Sequence, residues 1–366
     1  MNQSKSLKIV FVLAALVLVV GLVLRFTNRR ANNPATNSAE VVLITPHGVA
    51  PSTRPKPAVS PVESAAPEDD EGPRPPAVSR EKLDEYLAKH NRSAASLLAG
   101  YHALQDTNLL HEAAAKFPND TYVQWAMLTS EGLGGEQRRQ WLEAFKTSSP
   151  NNSLANYLSS AEHFKAGNQE AAIKELLDAS GKKQFKDFTM DAMIDEQELH
   201  RFAGQSAMMA VHANGWGGDL MRQLMPMKGV AYGIVEAQTK YAQAGDADST
   251  SKLAQMGLDL ADRLDSGDSG KFLFSQMVGA SIEGIMLKNM DPNTTYESLG
   301  GKTPTERRAE MKQQKDEWKT VAAVLPKAYG ALTEDEWVSY SDRMKTYGEL
   351  EALKWAKQRM DAAAAK

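Results

Sequence analysis

From about Ser79 to the end of the chain, apolar side chains recur every three or four residues, and turn-forming residues separate the runs. That spacing is the period of an amphipathic helix, where a half-buried strand would alternate at every second position. It predicts helices over residues 81–90, 94–105, 108–117, 122–131, 137–145, 154–165 and 170–179. Pro118 stops the third of these, and Asn119-Asp120-Thr121 offers capping side chains to the next. Gly132, Gly134 and Gly135 separate the fourth from the fifth, and Pro150-Asn151-Asn152-Ser153 repeats the stop and cap. Beyond Ser180 the same period predicts helices over 191–214, 220–244 with a kink near Pro226, 249–264 and 271–290, then a loop over 291–302. Thr303-Pro304-Thr305-Glu306 and Thr333-Glu334-Asp335-Glu336 have the form of capping boxes. The last helix is expected to carry Trp337, Tyr340, Met344, Tyr347, Leu350 and Leu353 as one core-packing stripe.

Two stretches escape this period. Residues 9–24 hold no polar side chain. At about 1.5 Å per residue they reach roughly 24 Å, and a hydrocarbon core is about 30 Å thick. Extending the run to 7–26, with Lys8 and Arg25 snorkelling outward, closes the difference. Arg25-Phe26-Thr27-Asn28-Arg29-Arg30 follows directly, where a cleavage site would need small residues, so an uncleaved anchor in the lipid bilayer is expected. Lys5 and Lys8 nearly balance Arg25, Arg29 and Arg30 around it. Because such an anchor ahead of one large body usually exports that body, the C-terminal part is expected outside the cytoplasm, which is the periplasm if the cell is a Gram-negative bacterium.

Residues 31–78 hold 10 of the 16 prolines and the acidic run Glu68-Asp69-Asp70-Glu71. Such a composition cannot build a core, so a disordered linker is expected, reaching on the order of 150 Å when fully extended. Val41-Val42-Leu43-Ile44 would suit strand addition, and Arg74-Pro75-Pro76 an aromatic groove, but both patches are common in plain spacers. The expected organisation is an anchor (1–30), a linker (31–78), a repeat region (79–189) and a helical region continuous with it (190–366).

Within the repeat region one unit is written twice. Leu110 to Thr121 is echoed by Leu142 to Ser153 at an offset of 32 residues, which also pairs Tyr122 with Leu154, Trp125 with Tyr157 and Ala126 with Leu158. A period of this size is the signature of stacked helical hairpins. The hairpin 154–179 resembles the tetratricopeptide repeat: Gly167-Asn168 sits at its turn, Ala172 and Ala179 at its two small positions, and Leu176 between them. Pro150-Asn151-Asn152 matches the repeat junction, and Tyr241-Ala242-Gln243-Ala244-Gly245-Asp246 is similar to Phe164-Lys165-Ala166-Gly167-Asn168 and offers a third turn. The resemblance covers roughly 70 residues. It departs from the family in its period, in Tyr157 and Leu158 standing one residue off, and in Arg138 and Gln140 near the upstream small position. It implies an all-α fold, antiparallel hairpins stacked as a short α-solenoid, with a groove that holds a protein or peptide partner.

Net charge is −4 with both signs interspersed, so no basic face invites nucleic acid. The absence of cysteine removes disulfides, thiolate metal sites and cysteine nucleophiles. Seven of 16 methionines fall between Met190 and Met227, beside His200 and His212. Thioethers suit Cu(I), which makes Met208, Met209, His212, Met221 and Met225 the candidate metal ligands, although adaptable methionines equally fill gaps between helices. Glu196 and His200 share a helical face near Asp191 and Asp195 but lack the partners of a zinc or iron site. Asp262, Asp265 and Asp268 with Gly267 and Gly270 lack the ligand order of a calcium loop. Gly215-Trp216-Gly217-Gly218-Asp219 is too short for a phosphate loop, and no serine sits in a nucleophile elbow. No catalytic or cofactor-binding residue is singled out. The expected function is protein–protein binding or scaffolding by a membrane-anchored helical-repeat protein of the cell envelope. The alternatives are a metal-handling protein using Met190 to Met227, or a helical enzyme without a recognisable motif.

Overall fold

A computed structural model describes residues 75–213 and 217–365 of the chain. The expected anchor through residues 7–26 and most of the expected linker lie outside the described residues. Among the described residues no helix is long and apolar enough to cross a membrane, and the only β-type pairings are two isolated bridges.

The helices are α1 (Arg80–Lys89), α2 (Ala94–Leu104), α3 (Thr107–Lys116), α4 (Thr121–Thr129), α5 (Gly135–Ser148), α6 (Leu154–Lys165), α7 (Gln169–Ser180) and α8 (Thr189–Phe202). They continue as α9 (Ala207–Val211), α10 (Gly217–Gln243), α11 (Ala247–Asp265), α12 (Leu273–Leu287), α13 (Pro304–Ala322), α14 (Leu325–Ala328), α15 (Glu334–Tyr347) and α16 (Glu349–Ala364). Both expected capping boxes form, with Thr303 and Glu306, and Thr333 and Glu336, each bonding the other's backbone N–H. Such reciprocal caps satisfy two orphan donors at a helix start.

The two copies of the repeated unit bury matching positions. Leu110 and Leu142, Ala113 and Phe145, and Trp125 and Tyr157 are all in the core. Their junctions differ, however. Asp120 caps α4 through the N–H groups of Tyr122 and Val123, as expected. Ser153 makes no such cap; its hydroxyl donates to the Gln184 carbonyl, and Asn152 holds the N–H of Lys186. The second stop is thus tied to the segment after α7. The turn Ala166-Gly167-Asn168 has its counterpart at Ala244-Gly245-Asp246: the Asn168 N–H reaches the His163 carbonyl, and the Asp246 N–H the Tyr241 carbonyl, each at 2.9 Å. This is the six-to-one bond of a helix C-cap closed by a left-handed residue.

Two expected helices are broken in the fold. The helix foreseen over 191–214 stops at Phe202, where Gly204 (φ +86°) lets the Gln205 N–H bond the His200 carbonyl and Ser206 caps α9. The last stripe is likewise two helices. Gly348 (φ +93°) turns the chain against Lys271, whose carbonyl oxygen would lie 3.0 Å from a β-carbon there. As a result Tyr347 points to solvent while Trp337, Tyr340, Met344 and Leu353 stay buried. The expected linker boundary also moves, since Val78 is buried and the Pro76 carbonyl accepts from Gln205 Nε2 at 2.7 Å.

Neighbours in sequence pack as pairs: α2 on α3, α4 on α5, α6 on α7, α10 on α11, α11 on α12 and α15 on α16. The long helix α10 also touches α4, α6, α7 and α12, so it runs through the middle of the body. Buried apolar side chains from Val78 to Ala356 form one continuous cluster. An amphipathic helix covers one stripe only, and stacking neighbours is how such pairs bury the rest.

Candidate functional site

Helices α8 and α15 lie side by side without closing on each other. Arg201 Nη1 donates to Glu334 Oε1 at 2.6 Å, and the Ala207 N–H donates to the same oxygen at 2.5 Å. Further along, Ser341 Oγ donates to Gln197 Oε1 at 2.9 Å. Arg201 is at the end of α8 and Glu334 at the start of α15, so the two helices run antiparallel. These donors, the Ala207 N–H foremost, hold the Glu334 carboxyl below the usual carboxylate range.

Between these ties a groove of about 360 Å³ opens, with Ala207, Ala210 and Val211 of α9 at one end. Each long wall contributes one aliphatic residue on an otherwise charged face. Ile194 is 37% exposed, in register with Glu198 and Arg201; Val338 is 41% exposed, in register with Glu334, Asp342 and Lys345. Singly exposed aliphatics are ordinary, but two lining one concave groove, one on each wall, are a binding feature. Gln197, only 4% exposed, lines the groove; its Oε1 is occupied by Ser341, and its Nε2 has no hydrogen-bond partner among the described residues. Asp342 and Lys345 have no ion-pair partner among the described residues, and Glu198 has only His90 at 3.8 Å. On the same helix burial pushes the Asp195 carboxyl up to about 7, and the Asp191 and Glu198 carboxylates add to it.

A second pocket of about 250 Å³ lies between α11, α12 and α13 and contains Asp262, Asp265, Glu283, Lys302 and Arg307. Its cations are already engaged. Arg307 grips Glu283 through two bonds of 2.5 and 2.9 Å and reaches Glu310 at 3.1 Å, while Lys302 holds Glu310 at 2.6 Å. Asp268, the third member of the expected calcium loop, pairs with Lys271 at 3.0 Å. No three His, Asp or Glu side chains among the described residues are placed to hold a metal.

The methionine cluster divides. Met190, Met193 and Met227 are core residues, Met208 and Met209 are half-buried on α9, and Met221 and Met225 stand on the exposed face of α10. His212 donates from Nδ1 to the Met208 carbonyl at 2.5 Å and packs between Tyr329 and Trp337, with ring centroids at 4.3 and 5.2 Å. His200 has its Nδ1 on Gln205 Oε1 at 2.9 Å. Burial lowers the pKa of both imidazoles. Glu196 lies 3.9 Å from His200, inside the core.

The deepest polar groups fasten α10 to its neighbours. Trp125 Nε1 donates to Gln223 Oε1 at 2.7 Å, and Gln223 Nε2 donates to Thr189 Oγ1 at 3.2 Å. The Thr189 N–H and the Ser269 hydroxyl both donate to Asp187, whose carboxyl burial pushes up. His102 Nδ1 lies 3.0 Å from Asp219 Oδ2, and Arg222 donates to Asp219 and to the Thr129 carbonyl. Nearly all of these side chains are sealed from solvent, which makes them structural ties.

No protein-family model matches the chain, and neither a curated protein nor a solved structure matches it.

Periodicity did not single out Ile194, Gln197, Val338 or Ser341. The signal available was an aliphatic residue on the polar face of each helix: Ile194 four residues before Glu198, and Val338 four before Asp342. Nothing in the sequence says that these two helices face each other.

Proposed function

We propose that the chain is a membrane-anchored helical scaffold, of the tetratricopeptide-like solenoid type, that holds a segment of another protein at the cell envelope. Residues 7–26 are its anchor, residues 31–74 its spacer, and the helical body works outside the cytoplasm. The reading is carried by the groove between α8 and α15, to which Ile194 and Val338 each bring an exposed aliphatic side chain, one from each wall. Exposed aliphatic side chains in a concave groove gain when a partner covers them. The matching burial of the two 32-residue units supports the solenoid part of the reading.

The test places a photo-crosslinking residue at position 338 of the full chain in cells. A discrete protein adduct is expected there, weakened by Ile194→Asp and missing when the same residue is placed at the exposed Lys165. Adducts of equal yield at both positions, or none at 338, would refute the groove as the working surface.

A further inference from the structure

We propose that the groove between α8 and α15 takes its partner as an extended segment, not as a helix, with an aliphatic side chain next to a lysine or arginine. The proposal rests on the groove being the partner site, and it names the chemistry of the occupant.

Three observations converge on it. The first is Gln197. Its buried Nε2 has no acceptor among the described residues, and its Oε1 is already taken by Ser341. Gln197 lines the groove, so a small rotation of its side chain turns that sealed N–H towards an acceptor arriving there. A helix arrives with its carbonyls spent on its own ladder except in the last turn, whereas an extended chain presents free carbonyl oxygens along its length. The second is size. A volume of about 360 Å³ is near the lower end of ligand pockets, which run from about 300 to 1,000 Å³. It has room for one or two side chains against Ile194 and Val338. A docking helix would bring a row of anchors at i, i+3, i+4 and i+7, which needs a longer trough.

The third is charge. Arg201 is consumed by Glu334, so the remaining charges at the groove are the Glu198 carboxylate, 3.8 Å from His90, the Asp342 carboxylate and the Lys345 ammonium. Glu198 follows Gln197 on one wall and Asp342 follows Ser341 on the other, so both carboxylates flank the point where the peptide backbone would be held. A cationic side chain adjacent to the buried aliphatic one meets them. Such rim charges choose the partner more than they tighten it.

Selection from random dodecapeptides displayed on phage tests this, with the full chain in lipid nanodiscs as target and Val338→Asp in parallel. Winning peptides are expected to share an aliphatic residue beside a lysine or arginine. They should bind at least tenfold more weakly to Val338→Asp and to Asp342→Lys, and about tenfold more weakly to Gln197→Leu. Val338 and Asp342 are exposed on α15 and Gln197 is buried on α8, and circular dichroism of each variant verifies that the body is folded; Ile194→Asp replaces Val338→Asp if that variant does not fold. Peptides that need Val338 but repeat their anchors with helical spacing, or carry no cation, overturn the extended basic segment and leave the groove standing as a partner site. Peptides indifferent to Val338→Asp, or no enrichment at all, overturn both.

Discussion

The buried chain of bonds from Trp125 to Gln223 to Thr189 can be measured directly. In Gln223→Leu a side chain of similar size replaces the amide, so little volume is lost, but the Trp125 N–H is stranded in the core. An orphaned buried donor costs about 1–3 kcal/mol. Thr189 loses the Gln223 donor but keeps its place on Asp187, adding less. The expected loss is therefore about 2–3 kcal/mol. Trp125→Phe removes the same bond from the other side and also leaves a cavity, for about 2–4 kcal/mol. In the double variant there is no indole N–H left to strand. The two losses should then fall short of adding by about 1–2 kcal/mol. Urea unfolding of the full chain, followed by far-ultraviolet circular dichroism at constant slope, supplies all four corners of the cycle. Losses that add to within about 0.5 kcal/mol would show that the Trp125–Gln223 bond contributes nothing, and that packing alone seats α10 against α4.

Ala172 is fully buried and its carbonyl accepts from Ser160 Oγ at 3.0 Å, so Ala172→Leu should overpack the α6–α7 contact by about 1–3 kcal/mol, while Ala166→Leu at the exposed turn changes little; thermal melts that reverse this order would refute the hairpin register. The Asp195 carboxyl, at about 7 in the fold and near 3.8 when free, keeps its proton longer when folded, so it favours the fold most below about pH 4 and progressively less as pH rises to 7. Asp195→Asn should therefore gain on the order of 1–2 kcal/mol over the parent at pH 8 and nothing at pH 4; a gain independent of pH would refute the assignment. A chain lacking residues 1–30 is expected to leave membranes after a high-salt wash and to keep its helical circular dichroism, and sedimentation with vesicles would count against the anchor. Limited proteolysis should cut first between residues 31 and 74 and release a body that begins near Pro75; protection there would mean the segment is docked.

The sequence by itself determined that the body is helical and where most helices begin and end. Those signals are local: an apolar side chain every third or fourth position, Thr303 and Glu306 bonding each other's backbone, Gly167 and Gly245 closing a turn with the same hydrogen bond. The 32-residue echo pairs Leu110 with Leu142, Ala113 with Phe145 and Trp125 with Tyr157, and the fold buries both members of each pair. Even the two missed breaks were written locally, at Gly204 before Ser206 and at Gly348, where the apolar period simply continued across a residue that can adopt positive φ. What the tertiary structure alone decided is which helices meet. Ile194 and Val338 are 144 residues apart in the chain, and Gln197 and Ser341 equally so. No period records such a pairing, because each helix satisfies its own backbone and carries no mark of its neighbour. The same holds for Met221 and Met225, which share the composition of Met193 and Met227 but stand on the outer face of α10. Whether a side chain is core or surface depends on what packs against it, and that is a property of the whole fold.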